Sequence, residues 1–126
     1  LVAAQARTSD SIARTFAIAL REGEIPAVPE PATPATRADS IAVGRPRDHV
    51  GAIRALLDCG GLPAVVDDSE ILTARRELAQ RFGLWVEPAA AAGFAALRAL
   101  RDNGTITMGE TVVLVLTGAG LKDPEP

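Results

Sequence analysis

Apolar positions recur along the chain at distinct spacings, and each spacing predicts an element. Leu1–Gln5 reads as a short strand entered in mid-course. Ile12, Phe16 and Leu20 follow four residues apart, which places one apolar stripe on a helix. Thr8, Ser9 and Asp10 offer capping oxygens before it, and Gly23 offers a stop after it. Residues 25–36 hold four prolines, so neither a helix nor a central strand is predicted there, only a surface loop. Asp48 is positioned to cap a second helix with Val50, Ile53 and Leu57 on its apolar face, ending at Gly60-Gly61. Leu62–Val66 predicts a brief strand. Asp67 and Glu70 form the D-x-x-E pattern of a capping box ahead of a helix carrying Ile71, Leu78 and Phe82 and closed by Gly83. Leu84-Trp85-Val86 predicts a very short strand or extended turn. Pro88 suits the first position of a helix that carries Ala89 to Ala92, then Phe94, Leu97 and Leu100, and stops at Asn103-Gly104. Its alanine-rich start predicts close approach to another backbone or to a ligand. Thr111 to Leu116 reads TVVLVL. Without alternation, it predicts a strand buried on both faces of a parallel sheet.

Strands alternating with helices predict an α/β protein, a three-layer parallel or mostly parallel sheet with helices on both faces. Composition agrees. The chain has 126 residues, 48% apolar and 23% charged, which fits a soluble globular domain or a piece of a larger one. No apolar run is long enough for a membrane helix. A single cysteine, Cys59, excludes an internal disulfide framework. A net charge of −3 argues against nucleic acid as a partner. The sequence opens at Leu1 with neither an initiator Met nor a signal-peptide pattern, and it has one lysine, Lys122, against twelve arginines.

In open parallel sheets, ligands bind at the carboxyl ends of strands. There the TVVLVL segment delivers Thr117-Gly118-Ala119-Gly120: a hydroxyl, and glycines that let a ligand approach the backbone. Two nucleotide motifs fail. The dinucleotide fingerprint lacks its third glycine and meets Pro124, and Lys122 does not stand at phosphate-loop spacing. His49 is read as a solvated or capping residue, Cys59 as a small buried hydrophobe and Trp85 as core. No cluster has metal-ligand spacing, and one histidine leaves no credible Ser/His/Asp set.

Three stretches together carry a resemblance: ADSIAVGRP at 38–46, WVEPAAAA at 85–92 and VLTGAGLKDP at 115–124. In order and spacing they resemble the C-terminal third of threonine synthase, in the fold-type-II (tryptophan synthase β-like) branch of pyridoxal-phosphate enzymes. LTGAGLKDP is the most specific; the other two are shared with threonine dehydratases. Ala90 and Ala119 stand where many relatives have serine and histidine. The resemblance implies that Thr117 hydrogen-bonds the pyridine nitrogen of the cofactor. A neutral hydroxyl there leaves that nitrogen largely unprotonated, which suits elimination and replacement better than transamination. It also implies that Gly118 lets the strand end approach the ring, that Ser40 lines one wall, and that Glu87 is a carboxylate near the cofactor or else a helix N-cap.

The resemblance further implies that residues 1–126 are the C-terminal part of the cofactor-binding catalytic domain, with the Schiff-base lysine and phosphate-binding loop before Leu1. On that reading this chain alone holds no catalytic residue and no metal, and does not stably bind pyridoxal 5'-phosphate. The intact enzyme is expected to be a cytoplasmic homodimer acting on a small amino-acid substrate, converting O-phospho-L-homoserine and water to L-threonine and phosphate. The alternatives are a threonine/serine dehydratase or diamino acid lyase on the same fold, and a stand-alone, non-catalytic association module.

Overall fold

The computed structural model describes residues 1–123; Pro124 lies outside them. Two strands, β1 (Val2–Ala6) and β2 (Leu62–Val66), pair in parallel, with Val2 opposite Leu62 and Ala6 opposite Val66. Parallel neighbours need a crossover. Here it consists of α1 (Ser11–Glu22), the proline-rich loop and α2 (His49–Asp58). After β2 come α3 (Asp68–Phe82) and α4 (Pro88–Asp102). Side chains alternate across the sheet. Ala4, Ala6, Leu62, Ala64 and Val66 face a core built with α3 and α4. On the opposite face Ala3 joins Ile12, Phe16 and Ala19 of α1 and Ile53 and Leu56 of α2. Helices therefore cover both faces of the sheet, as the strand–helix order predicts.

The helix ends follow local chemistry. The Asp48 carboxylate accepts from the Gly51 amide at 3.2 Å. The capping box at Asp67 and Glu70 is closed, with the Asp67 amide donating to Glu70 Oε2 at 2.7 Å. Gly83, at φ 68°, takes the left-handed turn that ends α3. The buried faces depart from the four-residue stripes. A strict four-residue step overshoots a helical turn by about 40°. So in α1 the inward residue is Ala19 and Leu20 is exposed, and in α2 Leu56 is buried while Leu57 is partly exposed. In α4 the alanines Ala91, Ala92, Ala95 and Ala96 are buried, which lets the helix sit close to the sheet and to α3. Phe82, at the end of α3, is half exposed and packs edge-to-face on Phe94, with centroids 6.2 Å apart.

Buried hydroxyls hold the long crossover loop. The Thr15 hydroxyl accepts from the Glu30 amide at 2.9 Å, and Ser11 Oγ donates to the Glu30 carbonyl at 2.5 Å. Ser9 Oγ donates to the Ile41 carbonyl and accepts from the Val43 amide, both at 2.8 Å. Burying a hydroxyl is costly unless such bonds are made. Ser9→Ala is therefore expected to lower stability by about 1–3 kcal/mol, read as a fall in the urea midpoint at constant m.

Four expectations are corrected. His49 is buried, not solvated, because its Nε2 lies 2.9 Å from the Pro26 carbonyl and ties the proline loop to α2. Cys59 is exposed at the end of α2, its thiol turned back to the Ala55 carbonyl at 3.0 Å. Trp85 is 44% exposed because it lies in the connection between α3 and α4 rather than under a helix. Thr111–Leu116 forms no strand and joins no sheet among the described residues, and Val113 and Val115 are 85% and 71% exposed. A cavity of about 530 Å³ is lined both by this segment and by Leu1, Val2 and Ala4 of the β1 edge, and no ladder hydrogen bond joins the two. The segment instead rests on α4, with Leu114 beside Gly93 and Leu116 against the core.

Candidate functional site

Glu87 ends the short connection between α3 and α4, immediately before Pro88 opens α4. Val86 and Ala119 form an isolated antiparallel bridge. Two backbone bonds make it: the Glu87 amide donates to the Gly118 carbonyl and the Gly120 amide to the Trp85 carbonyl, each at 3.0 Å. The bridge lays Gly118 directly on the Glu87 side chain, so closely that a Cβ on Gly118 would stand 2.1 Å from Glu87 Oε1. Ser40, in the helical turn Asp39–Ile41, donates its hydroxyl to Glu87 Oε2 at 3.2 Å. Ser40, Glu87 and Gly118 are thus brought together from three distant parts of the chain. Thr117, exposed, is the adjoining residue.

The capping alternative for Glu87 holds for its position and not for its side chain. It occupies the N-cap position, yet its side chain makes no capping hydrogen bond, because it is turned to Ser40 instead. The carboxylate is buried, the residue being 6% exposed, at the positive end of α4. Two cavities flank this point, and Ala89 lines both. One, of about 300 Å³, is polar and is walled by Asp39, Ser40, Glu87, Lys122 and Asp123. The other is the apolar cavity beside the 111–116 segment, lined by Thr117 together with Ala89, Ala90 and Gly93. On its rim Glu110 accepts from the Thr107 amide and hydroxyl, which hold its carboxyl below the ordinary carboxylate range.

Sequence reasoning missed Arg75 and Asp68. Asp68 accepts from the Thr36 hydroxyl and, at 2.8 Å, from the Arg37 amide, and so anchors the loop that carries Ser40. Arg75 lies on the inward face of α3 with Ile71 and Leu78. An arginine in phase with an apolar stripe was the available signal. Among the described residues no group of histidine, cysteine and carboxylate side chains could hold a metal, and no helix is long and apolar enough to cross a membrane.

A helix-covered parallel sheet with a hydroxyl and two glycines at the end of an apolar segment is the layout of an α/β ligand-binding domain. Residues 1–118 match the model of the pyridoxal-phosphate dependent enzyme family, and the chain belongs to that family. Within it, the chain is 44% identical over 100 residues to a threonine synthase of Methanosarcina acetivorans, covering 79% of this chain and 25% of that protein. It is 45% identical over 91 residues to the threonine synthase of Halalkalibacterium halodurans, covering 72% and 26%. The chain spans about a quarter of the length of these curated relatives. Among solved structures, a threonine deaminase from T.th. covers 99% of this chain and 36% of its own, with a TM-score of 0.71 at 25% identity. Maize serine racemase covers 82% and 29%, with a TM-score of 0.59 at 28% identity. The fold is that of the fold-type-II enzymes.

Ala89, Ala90 and Gly93 put little bulk on the α4 wall of the apolar cavity, a wall compatible with a flat ring, and Thr117 brings a hydroxyl-bearing residue to the same lining. The apolar cavity has no arginine or lysine in its lining, so what it offers suits the pyridine ring rather than the phosphate.

Proposed function

We propose that this chain is the part of a threonine synthase that holds the ring edge of pyridoxal phosphate, in an enzyme converting O-phospho-L-homoserine and water to L-threonine and phosphate. The observation that carries this reading is the 40–45% identity to threonine synthases over most of the chain. When bound, pyridoxal phosphate supplies the electron sink for eliminating phosphate and adding water. Thr117 donates its hydroxyl to the ring nitrogen and leaves that nitrogen without a full proton, which restrains side reactions at the α-carbon. Gly118 allows the backbone to lie close to the ring. Ser40 fixes the Glu87 carboxylate, and the two form one wall of the polar cavity. The catalytic lysine and the phosphate clamps come from other parts of the enzyme, of which residues 1–126 are the C-terminal part of the cofactor-binding domain. The reading brings with it a place in threonine formation, a cytoplasmic location and a homodimeric assembly.

A dehydratase acting on threonine or serine is the second reading, favoured by the near-complete overlap with threonine deaminase. The two are separated by assaying the enzyme that carries this chain. Phosphate and threonine are expected from O-phospho-L-homoserine. Ketoacid from threonine, with no phosphate release, overturns the first reading in favour of the second.

A further inference from the structure

Arg75 is 3% exposed, in the middle of α3, on the face it shares with Ile71, Ala74 and Leu78. A guanidinium so deeply placed must be met by acceptors or a ring face, or its burial opposes folding. Three of its contacts are with the chain around the candidate site. Nε donates to the Val86 carbonyl at 2.9 Å and Nη2 to the Asp123 carbonyl at 2.5 Å, while the guanidinium lies 4.3 Å from the centre of the Trp85 ring. Trp85 and Val86 immediately precede Glu87. Asp123 follows the short turn Gly120–Lys122 that begins just beyond Gly118. Arg75 therefore ties the Trp85–Val86 side of the bridge to Asp123, four residues beyond its Ala119 side.

The bridge needs such a grip. It consists of two backbone bonds with no continuing ladder, and so short a pairing is marginal in water by itself. The far side of the turn is closed by packing: a Cβ on Gly120 would stand 2.1 Å from Trp85 Cδ1. Trp85 is thus held between Arg75 and Gly120. Arg75 in turn stands on a helix whose start is fixed by the Asp67–Glu70 box. Only arginine suits this position. Its planar fork can donate in two directions and stack on a ring at once, whereas lysine has one point charge and no plane.

We infer that Arg75 is a positioning residue for the cofactor. By locking residues 85–87 to residues 118–123, it sets the direction of the Thr117 hydroxyl and the place of the Glu87 carboxylate. The inference rests on the reading of Thr117 as the donor to the ring nitrogen. It assigns to a residue on α3 a control over cofactor affinity that no direct contact requires.

The test is a double-mutant cycle of Arg75→Lys and Thr117→Val in the full enzyme that carries this chain. Apoenzyme is titrated with pyridoxal phosphate, and both the dissociation constant and the cofactor's absorption maximum are read. Arg75→Lys is expected to weaken cofactor binding roughly tenfold, within the coupling found between residues linked through a shared backbone shift, and to displace the absorption maximum. In the Thr117→Val background the same substitution is expected to cost less than about twofold. A purely structural Arg75 lowers the melting temperature equally in both backgrounds and leaves the absorption maximum in place; that result overturns the inference. An unchanged Arg75→Lys beside a weakened Thr117→Val overturns the Arg75 role alone. An unchanged Thr117→Val beside a weakened Arg75→Lys overturns the Thr117 reading and the route through it. Trp85→Leu removes the stacking surface and leaves the guanidinium's carbonyl partners in place. It is expected to show the same shift and the same dependence on Thr117, and it decides the matter if Arg75→Lys does not fold.

Discussion

Gly118→Ala is expected to lower kcat/KM of the enzyme carrying this chain by about a hundredfold, the scale on which a displacement of about 1 Å at a reacting centre acts. The added methyl would lie 2.1 Å from Glu87 Oε1 and 2.2 Å from Cδ, well inside contact distance. Something must give, and the carboxylate is the movable partner. Swinging it aside breaks the bond from Ser40 and disturbs the wall of the polar cavity. The backbone at Gly118 has no positive φ, so an alanine there meets no conformational penalty of its own. Stability should accordingly fall by only about 1–3 kcal/mol, the usual cost of overpacking. The check is steady-state kinetics beside a thermal melt. A variant with normal kinetics would remove Gly118 from the site, and one that unfolds would make the close approach a matter of packing.

Ile71→Ala is expected to cost about 4–5 kcal/mol, the upper part of the range for truncating a buried aliphatic side chain. Ile71 is fully buried at the junction of α3, α4 and β2. Of the fourteen buried residues described in this core, nine are alanine. Alanines cannot reach into a vacated space, because their only side-chain atom is fixed to the backbone. The hole left by Ile71 therefore stays open, and its full cost is felt. Denaturant unfolding of wild type and variant gives the difference. A loss below about 2 kcal/mol would mean that α3 shifts onto the sheet to close the space.

How far the sequence could be read depended on whether a feature was local. Helix ends were legible because a cap is chemistry between residues three or four apart: Asp48 with Gly51, Asp67 with Glu70, Pro88 at the start of α4. The alternation of strands and helices carried the layer order for the same reason. Burial was less legible. His49, Cys59 and Trp85 were each assigned by the habits of their residue type, but burial is decided by what packs against them, and those partners are distant in sequence. TVVLVL has the composition of a central strand, yet composition cannot supply the neighbouring strand that would pair with it. Glu87 and Ser40 stand 47 residues apart. No spacing rule links them, and only resemblance to a family put both beside one ligand. Arg75 was the costliest omission, since its phase with Ile71 and Leu78 alone marks the inward face of α3.

The parallel pairing of β1 with β2 sets an order of events in folding. It joins residues sixty positions apart, so a long loop must close before the first sheet contact returns any energy. The α3–α4 pair has no such delay, being neighbours linked by five residues and packed on each other. This helical hairpin is therefore expected to form first, with the strands gathering onto its alanine face afterwards. Arg75 and Trp85 lie within that early unit, whereas Asp123, the second carbonyl partner of Arg75, reaches it only later.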